Sequence, residues 1–513
     1  MAKLKRVLAG ALSLCMVGSM LTACGDSSSD SKKDSSKAKD SSAAASSTGD
    51  SSSTGDSSTA DSSEAPKAER INTAELKGDE SSEKSKNTIR IYCFNSEFKT
   101  RFDAAYAKGG KYKVETAAYK DADGNELTEI KKIDGKDIEW VQIENKGGAY
   151  EKALKEALQG QKKSDNKVDL FTIELDYALK FTDSGDTDYN NLVALSPIDI
   201  GITEDDMKNM HEYTKDAVRD PISGDVKALS WQATPGLLYY DVKMAKEVLG
   251  TDEPDKVQEF VKDWDAFKET AKKMKDKGYI MLSSFADTYR VFGANMSAPW
   301  VTDKKLNIDP QMKAWVDQTK EFTDNGWNNK TNQWEDPWNK DMTKDSKVFC
   351  FFMPSWGVDN CLKKQGGDAT NGKWKACVGP AGWFWGGTWL AGAVDSDNQD
   401  IVADIMKTMT CNKDAALELI NKYGEMVNQK EALAEVKDTY KCEYLGGQNH
   451  LALMSESADK INLKGKISAY DQTCVEKFQG DMGEYFKGTS SYDDCLKKFK
   501  QDVKAAYPDV DVD

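Results

Sequence analysis

The first residues of the chain decide where the rest of it folds. They begin with a basic head, formed by Lys3, Lys5 and Arg6. An apolar run over 7–20 follows, and small residues then lead to Cys24. This order is typical of a secretory signal peptide. Because the run is shorter than the roughly 20 apolar residues that span a bilayer, a permanent membrane helix is the weaker interpretation. We therefore predict that residues 1–23 are a signal peptide and that the rest of the chain folds outside a membrane.

The cysteine directly after Leu21-Thr22-Ala23 makes this segment more specific. Together these residues resemble the lipobox of bacterial lipoproteins, in which the cysteine thiol is acylated and becomes the mature N-terminus. The resemblance implies a lipid anchor at Cys24 that holds the protein on the outer face of the cell membrane. The alternative is a plain cleaved signal peptide in which Cys24 is incidental.

The segment after the anchor is made of small and polar residues, mainly Ser, Asp, Lys, Ala, Gly and Thr. Such a segment buries too little apolar surface to offset its chain entropy. We therefore predict a disordered, flexible tether over residues 24–87. A tether of this length suits a thick cell wall, which favours a Gram-positive bacterium.

Length and charge limit what the remaining part can be. Residues 88–513 are about three times as long as a typical domain, so we expect two lobes, each with its own core. Removing residues 1–23 takes away three basic groups and no acidic group, which changes the formal net charge from −16 to −19. Since phosphate backbones repel such a chain, nucleic acid is not expected as a partner.

The cysteines and histidines indicate whether the chain forms disulfide bridges or binds a metal. Eight cysteines follow the tether, an even number that favours some disulfide bridges outside the cell. Buried free thiols are the alternative. The cysteines lack Cys-x-x-Cys spacing and the chain has two histidines, so we expect no zinc site. We assign no metal ligand and no cofactor, and calcium binding by one of the carboxylate loops stays open.

Strand patterns followed by helix patterns predict an α/β lobe. Ile89, Ile91 and Cys93 alternate with other residues, and two similar strands are predicted over 138–143 and 168–173. In open α/β sheets the ligand lies beyond the carboxyl ends of strands. The candidate contacts there are Asn95, Glu97, Asp176 and Tyr177. For the first two, capping of the following helix is the alternative.

Three later segments carry a resemblance to a known family. The first is 228–249, which contains Ser230-Trp231-Gln232, an apolar strand and a helical pattern, and a helical stripe from Trp264 to Met274 follows it. The other two are 347–357, which ends in Pro354-Ser355-Trp356-Gly357, and 386–409, which begins Gly386-Gly387-Thr388-Trp389. In this order they resemble the extracellular solute-binding proteins of carbohydrate ABC importers, of the family 1, maltose-binding-protein-like type.

The resemblance implies a two-lobed periplasmic-binding-protein-like α/β fold with a hinge of crossing strands and an interlobe ligand cleft. The implied N-terminal lobe is 88–229 with 387–420, and the implied C-terminal lobe is 230–386 with 421–513. The hinge is expected near 228–231 and 386–392. Implied partners are ABC permease transmembrane subunits, with the receptor itself a monomer.

Tryptophan is distributed unevenly, with ten of the thirteen between residues 300 and 389. A pyranose has an apolar C–H face that stacks on an aromatic ring, while its hydroxyls need polar partners around the edge. The candidates for stacking are Trp231, Trp300, Trp356, Trp383, Trp385 and Trp389. Core packing is the alternative for every tryptophan.

These features favour a sugar-binding receptor over an enzyme. The two histidines lie in no recognisable nucleophile or metal motif, and no catalytic residue is assigned. A glycosidase needs only two carboxylates, so a surface glycoside hydrolase is one alternative. A carbohydrate-binding lipoprotein that does not transport is another. Within the transporter interpretation, a peptide or polyamine ligand stays open.

Overall fold

The computed structural model describes residues 72–76, 81–120, 126–185 and 193–513. The predicted signal peptide, Cys24 and most of the predicted tether lie outside the described residues. Among the helices that are described, none combines the length and the apolar character that a membrane span requires.

The described chain is a mixed α/β fold whose strands form four sheets, of six, three, two and two strands. In chain order the strands are β1 (Thr88–Cys93), β2 (Val114–Lys120), β3 (Glu126–Ile133), β4 (Lys136–Gln142), β5 (Leu170–Glu174), β6 (Gly236–Asp241), β7 (Leu282–Ser284), β8 (Val301–Thr302), β9 (Lys305–Leu306), β10 (Asn328–Thr331), β11 (Cys350–Pro354), β12 (Trp374–Cys377) and β13 (Thr388–Gly392). The helices are α1 (Glu83–Lys86), α2 (Glu97–Ala105), α3 (Ala149–Gln159), α4 (Leu179–Thr182), α5 (Glu212–Asp216), α6 (Val242–Leu249), α7 (Pro254–Glu259), α8 (Trp264–Asp276), α9 (Tyr289–Gly293), α10 (Pro310–Asp324), α11 (Asp336–Lys340), α12 (Lys364–Gly366), α13 (Gln399–Cys411), α14 (Lys413–Tyr423), α15 (Lys430–Glu435), α16 (His450–Ala458), α17 (Asp471–Lys487) and α18 (Tyr492–Ala506).

The first lobe is built on a six-stranded sheet in the order β13-β5-β1-β4-β3-β2. β1 pairs in parallel with β4 and β5, so the three strands predicted from the sequence are confirmed and lie side by side. β5 is buried at every position, as expected for a strand inside an α/β sheet. Arg90 departs from the predicted alternation of β1. It is buried because Glu139 and Asn166 accept hydrogen bonds from its guanidinium.

A two-stranded antiparallel extension at the edge of this sheet, formed by β3 and β2, was not predicted. β2 pairs with β3, and β3 pairs with β4 through a turn at Asp134-Gly135. Both turn residues have positive φ, 51° and 78°, which suits a two-residue hairpin of type I′. The Asp-Gly pair is therefore the sequence signal that identifies this hairpin.

The second lobe has a three-stranded antiparallel sheet in the order β11-β6-β12. The predicted strand and helix after the crossover are confirmed as β6 and α6, and the helical stripe that begins at Trp264 is confirmed as α8. A second core in this lobe lies among α9, α10, α17 and α18.

The chain crosses between the lobes at neighbouring places. Leu229 and Leu390 exchange two backbone hydrogen bonds of 3.0 and 2.7 Å. A third bridge, which joins Gln232 to Val427, lies close to the predicted lobe boundary at 420–421. Next to them, a Cβ atom on Gly236 would lie 2.1 Å from the Trp383 ring, so only glycine fits there. The crossing segments therefore form one packed hinge of antiparallel bridges.

The last part of the predicted tether contacts the first lobe. The backbone N–H and the hydroxyl of Thr73 donate to Asp199 at 2.7 and 2.6 Å. The hydroxyls of Ser81 and Ser85 both donate to Asp397, at 2.6 and 2.5 Å. Order therefore begins before Thr88, because two aspartates of the lobe hold this segment.

The cysteines do not form the bridges that their even number favoured. Within the described residues all eight carry free thiols, and six of them are buried. They act as small apolar side chains in the cores of both lobes.

Asn428 joins three segments at the hinge. Its side chain is fully buried, accepts a hydrogen bond from the His211 N–H at 2.9 Å, and donates to the Thr214 hydroxyl at 2.8 Å and the Ser230 carbonyl at 3.1 Å. An alanine here would leave three polar groups buried without these partners.

We expect Asn428→Ala to lower the free energy of unfolding by about 1–3 kcal/mol, the cost of leaving buried polar groups unpaired. Urea unfolding of the full chain measures the change. Asn371→Ala removes an exposed asparagine and serves as the control, with an expected change within about 0.5 kcal/mol. Equal stability of the two variants would contradict a role for Asn428 in holding the hinge.

Candidate functional site

The carboxyl end of β5 brings two carboxyl groups to the boundary between the lobes. Glu174 is the last residue of the strand, and a short 3-10 helix over Leu175–Tyr177 follows. The Glu174 Oε2 atom accepts the Asp176 backbone N–H at 2.8 Å. Its Oε1 atom is buried and has no hydrogen-bond partner among the described residues. Burial raises the pKa of Glu174 well above its usual value, and the nearby charge of Asp176 adds to this.

An arginine of the second lobe reaches across to this strand end. Arg290, on α9, donates from its two terminal nitrogens to the two carboxylate oxygens of Asp176 at 3.2 and 3.1 Å. The side chains are 20% and 16% exposed. The guanidinium carbon also lies 5.2 Å from the centre of the Trp385 ring. The ion pair therefore joins the lobes beside an aromatic surface.

Three tryptophans of the second lobe form a cluster, which we call the tryptophan cluster: Trp334, Trp356 and Trp385. The Trp334 ring lies nearly parallel to the Trp356 ring at 6.1 Å and edge-on to the Trp385 ring at 5.6 Å. The Trp356 Nε1 atom donates to the Trp385 carbonyl at 3.2 Å. Trp334 and Trp356 keep part of their surface exposed. The cluster therefore offers aromatic surface to a ligand.

Gly386 shows how close the carboxyl groups and the cluster are. A Cβ atom built on this glycine would lie 3.3 Å from Glu174 Oε1 and 3.6 Å from Trp356 Nε1. The glycine has a φ of 66°, a backbone conformation that residues with a side chain rarely adopt. Glycine at this position thus lets the unpartnered carboxyl oxygen approach the indole.

A cavity of about 80 Å³ lies beside the ion pair. Its lining comes from both lobes and includes Leu175, Asp176, Tyr289, Arg290, Phe384 and Asp471. Burial raises the pKa of Asp471 to about 7. A space of this size holds several water molecules but is far smaller than the roughly 300–1,000 Å³ of typical ligand pockets.

Three of the residues predicted from the sequence meet here. Asp176, Trp356 and Trp385 come together although they lie in distant parts of the chain. The structure adds Glu174, Arg290 and Trp334, which were not assigned. Glu174 could have been found by the same rule of strand ends that selected Asp176. Arg290 and Trp334 carry no local signal, because only the packing of the lobes brings them to this place.

Two predicted tryptophans lie in the core of the first lobe. Trp231 is buried and packs at 5.3 Å against the Phe98 ring. Trp389 is buried on β13 and its Nε1 atom donates to the Thr214 carbonyl at 2.8 Å. Neither ring presents a face to the cleft, since hinge and sheet residues cover both.

Trp300 and Tyr177 pack against core residues, and Trp300 also lines the cavity beside the ion pair. Trp300 packs between the rings of Phe478 and Phe499 at 5.2 and 5.4 Å, with 2% of its surface exposed. Tyr177 is buried edge-on against Phe94 at 6.5 Å. The structure places these two side chains in packing positions because long-range neighbours cover them, which local sequence does not reveal.

Asn95 and Glu97 lie at the end of β1, near the hinge. The Asn95 side chain accepts the Glu97 backbone N–H at 3.0 Å, as a capping residue does. Glu97 pairs with Arg101 at 3.7 Å and accepts a hydrogen bond from Gln232 at 3.4 Å. Burial and the charge of Glu425 raise the pKa of Glu97 to about 7. Both interpretations of Asn95 and Glu97 made from the sequence therefore persist: a capping contact is present, and a ligand contact stays a prediction.

The two histidines lie in the protein interior. Burial lowers the pKa of each to about 4, so both are neutral at pH 7. His211 is near the hinge, with its Nδ1 atom 3.1 Å from Asp459, and His450 is buried on α16. In the part of the chain that the structure describes, no group of three His, Cys, Asp or Glu side chains could hold a metal ion.

A sequence model of the bacterial extracellular solute-binding proteins matches residues 113–443. This match covers more than half of the chain. The chain belongs to this family. The search of curated proteins found no match to this solute-binding protein.

Solved structures support the same fold. An extracellular solute-binding protein of family 1 aligns with a TM-score of 0.64 and 15% identity, over 82% of this chain and 99% of its own. The galacto-N-biose/lacto-N-biose I-binding protein of a Bifidobacterium longum ABC transporter aligns with a TM-score of 0.57 and 12% identity, over 83% and 98%. The GacH receptor of Streptomyces glaucescens, solved with acarbose, aligns with a TM-score of 0.54 and 14% identity, over 83% and 99%. The predicted two-lobed fold of this solute-binding protein is confirmed.

We expect Glu174→Gln to remove a pH-dependent loss of stability. In the wild type the unfolded chain ionises this carboxyl at its ordinary pKa, while the folded chain keeps the proton, so stability falls as pH rises above about 4.5. The wild type loses up to about 1.4 kcal/mol per pH unit between the two pKa values, and the glutamine does not.

Urea unfolding of both chains between about pH 4.5 and pH 7.5 tests this expectation. The stability of Glu174→Gln relative to the wild type should increase steadily with pH. Glu204→Gln, at an exposed position, should show no such trend. A constant difference across the range would mean that Glu174 is ionised in the folded protein.

Proposed function

We propose that this protein is the substrate-binding subunit of an ABC importer that captures a sugar or oligosaccharide outside the cell. The observation that supports this most is the meeting of tryptophan rings and carboxyl groups between two lobes. Solved proteins of the same fold are described in complex with lacto-N-biose, β-1,6-galactobiose and acarbose. The proposal transfers this ligand class, but none of these sugars, to the present chain.

The chemistry of the cleft suits a sugar. The exposed faces of Trp334 and Trp356 would stack on the apolar face of a pyranose ring. Glu174 and Asp176 would accept hydrogen bonds from hydroxyls at the edge of that ring. A sugar that lacks a hydroxyl at one of these positions would leave a buried carboxyl without a partner, which costs affinity.

Transport would use closure of the lobes about the hinge. Ligand binding favours the closed population when it contacts both lobes at once. The closed form would then dock on permease transmembrane subunits, and the receptor would act as a monomer without catalysis. Cys24 would carry the lipid that holds the protein on the outer face of a Gram-positive cell membrane.

A binding screen tests the proposal. We expect the full chain to bind at least one of β-1,6-galactobiose, lacto-N-biose or maltotriose in isothermal titration calorimetry, without consuming it. Trp356→Ala should weaken that binding about tenfold or more, equal to about 1.4 kcal/mol, because a stacking surface is lost. Trp264→Ala changes a partly buried tryptophan that stacks on Phe292 instead, and should leave affinity within about twofold.

Other outcomes of the screen would each contradict part of the proposal. Release of smaller sugars would indicate a glycoside hydrolase. Binding of peptides or polyamines alone would retain a transporter but exclude sugar. Binding with no change in the scattering radius of the chain would indicate a rigid, non-transporting carbohydrate-binding protein.

We expect Cys24→Ala to abolish the lipid anchor. In cells that produce the full chain, the variant should incorporate no labelled palmitate, because the thiol that accepts the acyl group is gone. Cys15→Ala changes a cysteine within the signal peptide and should still be labelled. Labelling of Cys24→Ala would show that the anchor, if there is one, lies elsewhere.

A further inference from the structure

Arg290 occupies a central place between the lobes. Its guanidinium is held by Asp176 of the first lobe through two hydrogen bonds, and it lies over the Trp385 ring of the second lobe. The two hydrogen bonds form the bidentate geometry in which arginine binds carboxylates most strongly. The side chain is one-fifth exposed, so solvent screens this pair less than a surface pair.

One partner of Arg290, Asp176, is a residue that the proposed function gives to the sugar, and the other, Trp385, belongs to the tryptophan cluster whose other two rings would stack on it. A guanidinium is flat, and it presents two N–H groups along one edge and an extended face to an aromatic ring. A pyranose presents the same two features, with neighbouring hydroxyls at its edge and C–H groups on its face. Arg290 therefore makes, within the chain, the contacts that a sugar would make with Asp176 and Trp385.

The cavity beside Arg290 is too small for a sugar to enter while the guanidinium stays in place. The cavity that Arg290 lines measures about 80 Å³, well below the volume of typical ligand pockets. Asp471, at the start of α17, and Lys466 also line this cavity, and the carboxyl group of Glu174 lies near enough to Arg290 to interact with its charge. A sugar that reaches Asp176 must therefore move the guanidinium away.

We propose that Arg290 is a specificity-determining residue of the cleft, which competes with the sugar for Asp176 and Trp385. This inference rests on the proposed function. A ligand replaces the guanidinium only if it offers both a pair of hydroxyls to Asp176 and a flat apolar face to Trp385. A ligand with one of these features loses the competition, because it leaves either the carboxylate or the indole face without its partner.

Removing the guanidinium tests the competition. Arg290→Met keeps the length of the side chain and removes its charge and its N–H groups. We expect it to bind β-1,6-galactobiose, lacto-N-biose or maltotriose at least threefold more tightly than the wild type, and to bind more of the three. Arg219→Met removes another ion-paired arginine, next to Asp216 and Glu212, and should bind like the wild type.

Salt gives an independent measurement on the unchanged protein. The sugars are neutral, so salt acts on the ion pair and not on the ligand. Raising sodium chloride from about 0.1 M to about 1 M shortens the screening length from about 10 Å to about 3 Å and weakens the competitor. We expect the affinity of the wild type to rise at least twofold over this range, and that of Arg290→Met to stay constant.

Two binding results would overturn the inference. Weaker binding by Arg290→Met would make the arginine a direct ligand contact, and an affinity independent of salt in the wild type would remove the competition. If Arg290→Met is too unstable for binding measurements, hydrogen exchange of the full chain without sugar provides a second test. We expect Arg290→Lys, which keeps the charge but loses the bidentate geometry, to exchange faster than the wild type at Leu175–Tyr177 and Tyr289–Gly293 only.

The exchange experiment also separates the two proposals. Faster exchange in Arg290→Lys, with no sugar bound by any variant, would retain the contact between the lobes but reject the proposed function and the competition with it. Unchanged exchange together with sugar binding would retain the proposed function and reject the role of Arg290.

Discussion

The pairing of β13 with β5 is the interaction on which the rest of the structure depends. Residues 388–392 return from the second lobe and pair with the whole length of β5, while Leu390 also bonds to Leu229. This pairing completes the sheet of the first lobe and fixes the path of the chain between the lobes. It also sets Gly386 beside Glu174, so the end of β5 lies against the hinge. A small rotation at the crossing segments would therefore act directly on the cleft.

The cleft keeps polar groups in an environment that does not favour them. Glu174 is buried, and one of its oxygens has no hydrogen-bond partner among the described residues. Arg290 forms an ion pair with Asp176 of the other lobe. Burial of such groups costs free energy that the apolar cores of the two lobes must offset. Local rules of stability are broken most often at functional sites, where the unsatisfied group has a ligand to bind. The buried Glu174 breaks such a local rule, which is the reason that we propose it as a ligand contact.

The tryptophans show what the distribution of one residue type can predict about a binding site. Their concentration between residues 300 and 389 suggested an aromatic binding surface, and the tryptophan cluster does lie within that stretch. Yet seven tryptophans of the chain are almost fully buried, among them Trp231, Trp300 and Trp389. A tryptophan serves packing and binding with the same ring, and the neighbours that decide between the two come from distant segments. The turn signals singled out Trp356 and Trp385, which the structure brings together with Trp334; that these rings bind a ligand stays a prediction.

The sequence by itself determined what depends on neighbouring residues. The alternation in β1, the helical stripes of α6 and α8 and the order of three loose motifs sufficed to predict an α/β fold of two lobes and its family. The edge hairpin was also encoded locally, in Asp134-Gly135, but was not recognised.

Only the tertiary structure decided which side chains meet in the cleft. Asp176 and Arg290 are 114 residues apart, and the three rings of the tryptophan cluster come from three separate loops. The physical reason is that backbone patterns arise from short-range hydrogen bonding and periodicity. Burial and ion pairing depend instead on which surfaces the hinge brings face to face.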